Sequence, residues 1–138
     1  LFNVMTVRTP TELRIRIVQA ISEVPAAAWD ACANPSLSPS PGKADAHTSA
    51  CAGVTGFNPF ISHGFLHSLE ASGSAIARTG WQPQHLLAET MDGEVLGAVP
   101  CYLKSHSRGE YVFDHGWADA YERAGGRYYP KLQVSVPF

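Results

Sequence analysis

Residues 85–105, HLLAETMDGEVLGAVPCYLKS, read as two strand-like runs joined at Met91-Asp92-Gly93-Glu94. The Asp-Gly pair suits the positive φ angles that a tight hairpin turn demands, so an antiparallel hairpin is predicted here. Upstream, LRIRIV at 13–18 alternates apolar and polar residues with period two. That alternation predicts an outer strand with Leu13, Ile15 and Ile17 facing a core and Arg14 and Arg16 facing water. Downstream, GEYVFD at 109–114 reads as a third strand after a polar turn, and RYYPKLQVSVPF at 127–138 extends again.

Three segments between these strands read as helices. SEVPAAAWDACA at 22–33 places Ser22 and Pro25 ahead of an Ala-rich run, a polar cap and a proline whose missing N–H costs nothing in a first turn, with Trp29 as the anchor. In NPFISHGFLHSLEASG at 58–73, Ile61, Phe65, Leu66 and Leu69 follow helical spacing, Asn58 or Ser62 can cap, and Gly73 sits where a terminating glycine belongs. HGWADAYERAG at 115–125 is the third. The order predicts an α+β fold, a mixed and largely antiparallel sheet flanked by helices, with no internal repeat.

Residues 34–56, NPSLSPSPGKADAHTSACAGVTG, carry almost no bulky apolar side chains. Such a segment cannot offset the entropy of ordering itself, so a disordered surface loop is expected. Too few residues precede it for an independent core, so residues 1–138 are read as a single domain.

Composition narrows the function. The chain has 138 residues, 45% hydrophobic and 16% charged, a globular balance, and a formal charge of −2 with no Lys/Arg cluster. A nucleic-acid backbone is usually met by a basic stripe, so DNA is not an expected partner. No apolar run approaches the roughly 20 residues that span a bilayer, and LFNVMTVRTP lacks the pattern of a signal peptide. Cys32, Cys51 and Cys101 are odd in number and far apart, which favours a reducing, cytoplasmic setting. The start at Leu1 suggests a fragment edge, with Met5 a candidate true start.

His63, His67 and Glu70 share one helix face, the spacing of a possible zinc site. Gly64, however, stands where catalytic zinc helices place glutamate, so a solvated face is expected and no metal is assigned. Cys101 lies in an apolar strand and reads as a buried thiol. No nucleophile elbow or phosphate-binding loop is present. The candidates concentrate in GEYVFDHGWADAYERAGGRYYPKLQVSVPF at 109–138, where aromatic side chains surround ionisable ones at strand ends. Glu110, Asp114, His115 and Lys131 are the groups whose pKa burial and neighbours can tune for proton transfer.

The stretches NPFISHGFLHSLEASGS, GWQPQH at 80–85, YLKSHSRGEYVFDHGWADAYERAG and RYYPKLQVSVPF resemble the N-terminal part of a bacterial family of predicted N-acyltransferases. That family is related to the GNAT superfamily and to the Fem-type aminoacyl transferases of peptidoglycan bridge synthesis. The resemblance is dense over 58–138 and looser before it. It implies a partial acyl-CoA N-acyltransferase-like fold, one of two halves flanking a cleft, with the C-terminal half beyond this sequence. It implies transfer of an acyl or aminoacyl group from acyl-CoA or aminoacyl-tRNA to a small-molecule or peptide amine. On that reading Asp114 and Lys131 are catalytic, and His115, Trp117, Tyr128 and Tyr129 line the acceptor side. The superfamily's donor loop, Q/R-x-x-G-x-G/A, has its nearest counterpart in RAGGRY at 123–128, where Tyr128 occupies a position requiring a small residue. No donor cofactor is therefore assigned to this chain. The alternative is a non-catalytic binding module that uses the aromatic surface alone.

Overall fold

The computed structural model describes residues 12–35, 56–108 and 113–137. Its strands are β1 (Leu13–Val18), β2 (Trp81–Pro83), β3 (His85–Thr90), β4 (Val95–Val99), β5 (Cys101–Lys104) and β6 (Lys131–Val134). Its helices are α1 (Ala26–Ala33), α2 (His63–Ala71) and α3 (His115–Arg123).

The predicted hairpin organises everything else. Gly93 takes φ +88°, and Thr90 N donates to Glu94 O at 2.9 Å to close the turn. The first arm is longer than the sequence reading predicts, because Trp81–Pro83 continues β3 backwards. Each arm is interrupted once, at Gln84 and at Pro100, which has no N–H to give the ladder. Gln84 N still reaches Cys101 O at 2.8 Å, so the two halves remain one bent ribbon. β1 pairs antiparallel with β3, from Leu13 opposite Thr90 to Val18 opposite His85. β6 pairs antiparallel with β5, from Cys101 opposite Val134 to Lys104 opposite Lys131. The result is two three-stranded antiparallel sheets, β1-β3-β4 and β2-β5-β6, within an α+β fold.

Side chains alternate strictly along the first arm. Trp81, Pro83, His85, Leu87 and Glu89 are buried, and the residues between them are half-buried. The buried row meets α1 and α2, and Val18, Ile21, Val24, Trp29, Leu66 and Leu87 form the core. A second cluster, Ala75, Trp81 and Tyr102, lies toward the other end of the ribbon. Trp29 is fully buried and donates its indole N–H to Ile61 O at 2.9 Å, the anchoring expected of it. Ser62 caps α2 by accepting from Phe65 N, whereas α1 begins at Pro25 without a side-chain cap.

The face assignment of β1 is reversed from the sequence expectation. Leu13, Ile15 and Ile17 are 53%, 66% and 57% exposed, and the arginines lie on the inner side. Arg14 Nη2 and Arg16 Nε each donate to the buried Glu89 carboxylate at 2.9 Å. A buried carboxylate needs partners, and cross-strand arginines supply them, so the charged row turns inward. Their hydrogen bonds, Arg16's foremost, hold the Glu89 carboxyl below its ordinary pKa despite burial.

The expected third strand at 109–114 has residues 109–112 outside the described ones, and Phe113 and Asp114 are not in a strand. Asp114 occupies the N-cap position of α3. The loop assigned to 34–56 likewise lies mostly outside the described residues. Its flanks are tied together: Asn58 N donates to Asn34 Oδ1 at 2.7 Å, and Asn34 Nδ2 donates to Asn58 O at 3.1 Å.

Candidate functional site

An aspartate at a helix N-cap normally accepts a hydrogen bond from an N–H of the first turn. Asp114 stands at that position of α3 and makes no such bond. Its carboxylate is turned instead toward three side-chain donors from two other parts of the chain. Lys131 Nζ, at the start of β6, approaches Oδ2 at 2.5 Å, and Ser107 Oγ, just after β5, lies 3.3 Å from the same oxygen. Tyr129 Oη is 2.6 Å from Oδ1 and 2.8 Å from Ser107 Oγ. The phenol has one proton, and the carboxylate is its stronger acceptor.

Burial is the largest single influence on Asp114 and disfavours its charge. The hydrogen bonds from Lys131, Tyr129 and Ser107 and the lysine's charge together outweigh it, and the carboxyl falls to about 2. Lys131 is shifted the other way: burial works against its charge, but Asp114 and Tyr128 raise its pKa above the ordinary lysine value. Burial, then the hydrogen bond to Asp114, raises the Tyr129 phenol. At neutral pH this is an ion pair with a neutral phenol. A carboxylate held that low is a weak base, so its chemical capacity here is to fix and charge-balance its donors.

Aromatic rings enclose the ammonium on one side. Lys131 Nζ lies 4.7 Å from the centre of the Tyr128 ring and donates to its hydroxyl at 3.2 Å. Tyr128 meets Tyr129 edge-on at 5.0 Å and Tyr121 at 6.2 Å between centroids. Tyr121 lies against Gly126, where a Cβ would run into its ring. Trp117, one helical turn before Tyr121, is 75% exposed.

The structure thus brings together Asp114, Tyr128, Tyr129 and Lys131 of the sequence candidates. His115 is exposed and stacks on Phe113 at 5.8 Å, and neither it nor Trp117 joins the hydrogen-bonded cluster. Glu110 lies outside the described residues. Ser107 is 3% exposed and central to the cluster, yet sequence reading passed over it. A serine in a polar turn has no periodicity or motif to mark it.

The histidine face of α2 is occupied structurally. His63 Nε2 lies 3.1 and 3.0 Å from Ile21 O and Val24 O, and Glu70 meets buried His85 Nε2 at 2.9 Å and accepts from Ile21 N. Among the described residues no group of three His, Cys, Asp or Glu is placed to hold a metal ion. Cys101 is buried, and burial pushes its thiol up.

Residues 20–138 match the model of the FemAB-like family, described as peptidoglycan biosynthesis/recognition. The chain belongs to this family. Comparison with curated proteins and with solved structures finds no match. Among the described residues no helix is long and apolar enough to cross a membrane.

Proposed function

We propose that this FemAB-like chain is the acceptor side of an N-acyltransferase of the GNAT type, acting in the cytoplasm on a small-molecule or peptide amine. The observation that carries the reading is the Asp114–Lys131 pair with its Tyr129 and Ser107 donors, which diverts a helix-cap aspartate from its capping bond. Amide formation requires the amine's lone pair to attack the acyl carbonyl carbon. The carbonyl oxygen then takes the negative charge, and collapse expels the donor's thiolate or ribose alkoxide, which takes up the proton that the amine nitrogen loses. A fixed donor aimed at that oxygen supplies the largest electrostatic gain. Lys131 is assigned this role, because two of its three N–H groups hold Asp114 and Tyr128 and one is left for a ligand. Asp114 and Tyr129 position it, and Tyr128, His115 and Trp117 line the approach. The donor, acyl-CoA or aminoacyl-tRNA, is assigned to a C-terminal half outside this sequence, since RAGGRY lacks the small residue that a donor loop needs.

The test is acylation of amines by the complete protein carrying Asp114→Asn or Tyr129→Phe. Each should lower turnover by roughly tenfold or more with the fold intact, as loss of a positioning contact does. Full turnover in both would remove the cluster from the reaction, whereas no amine acylation by the complete wild-type protein would leave the binding-module reading.

A further inference from the structure

The outward face of the bent ribbon carries no charged side chain, although 16% of the chain is charged. By register and alternation its exposed aliphatic side chains are Leu13, Ile15 and Ile17 of β1, Val99 of β4, and Leu132 and Val134 of β6, with half-buried Gln82, Leu86, Ala88, Thr90 and Leu103 and buried Cys101 between them. These six are between 36% and 67% exposed. The helices α1 and α2 cover the opposite face only. At such exposure each side chain leaves on the order of 100 Å² open, so the face presents roughly 600 Å² of apolar surface, the size at which an uncovered patch marks a contact site.

We propose that this face is the interface of a homodimer, in which two copies stack sheet on sheet about a two-fold axis. Three features favour a second copy as the occupant. The face is neutral, so it meets itself without placing like charges together, the first condition of an isologous contact. Its exposed residues are aliphatic and period-two, the pattern of sheets that stack about 10 Å apart. Two such faces would bury about 1,200 Å², the lower bound for a specific protein–protein interface. An interface of that size predicts reversible association.

Sedimentation velocity of the complete protein over a wide concentration range reads this directly. The expected result is a mass rising from one chain toward two, with Ile15→Lys and Leu132→Lys each abolishing the rise at unchanged far-UV circular dichroism. Neither residue belongs to the core or to the Asp114 cluster. A chain that stays monomeric throughout overturns the proposal and leaves the face to a different partner. Association that survives both lysine substitutions also overturns it, and assigns the contact to the open edge of β6. Because neither variant replaces a residue of the Asp114 cluster, failure here leaves the acyl-transfer reading standing.

Discussion

Asp114 is the residue at which structure and chemistry diverge most usefully. As a helix cap it would contribute about 1 kcal/mol by accepting a first-turn N–H. It forgoes that bond for Lys131 and Tyr129, and this sets the pH response of the fold. The folded carboxyl lies at about 2 against an ordinary value near 4. Its contribution is therefore complete above pH ~4 and is lost as pH falls toward 2, about 2 kcal/mol in all. Lys131, raised in the folded state, contributes stability that is present below its unfolded pKa and fades as pH climbs through the folded one. Urea unfolding from pH 5 down to 2 should show a loss of stability that is smaller by about 2 kcal/mol in Asp114→Asn, where the Glu89 contribution remains; identical profiles would mean that the pair is not formed in solution.

At the scale of elements, the hairpin was legible because turn chemistry is local: an Asp-Gly pair between apolar runs needs no knowledge of the rest of the chain. The face of β1 was not legible. Period two separates Leu13, Ile15 and Ile17 from Arg14 and Arg16, but which row turns inward depends on Glu89, 73 residues from Arg16 in sequence. Glu89 is buried at 2% exposure and holds both arginines across the β1–β3 pair. Glu89→Gln should destabilise the protein by about 1–3 kcal/mol, less than a fully buried pair would lose because both guanidiniums keep contact with water. The change is measurable as a lower urea midpoint, and an unchanged midpoint would show that β1 is held by its backbone ladder alone. The candidate site was partly legible for a related reason. Asp114, Tyr128, Tyr129 and Lys131 are polar or aromatic residues bunched in one segment, whereas Ser107 reaches them only because β5 and β6 are paired.

For the whole molecule, the composition of Pro35–Val54 and the Asn34–Asn58 clasp make a joint prediction. The clasp brings the two flanks of the segment within hydrogen-bonding distance, so a short bridge can replace what lies between. Deleting Pro35–Val54 should move the melting temperature by no more than a few degrees, since loop length costs little. A large drop by calorimetry would place core contacts in the segment. The two sheets share one ribbon, with the core on its inner face beneath α1 and α2 and the Asp114 cluster where α3 meets β6. The assignment of that cluster to acyl transfer stands or falls with Lys131. In amine acylation by the complete protein, Lys131→Ala should lower kcat by about 100-fold or more, the usual consequence of losing one oxyanion donor, with the urea midpoint falling by no more than the Asp114 pairing accounts for; wild-type turnover in that variant would contradict the account.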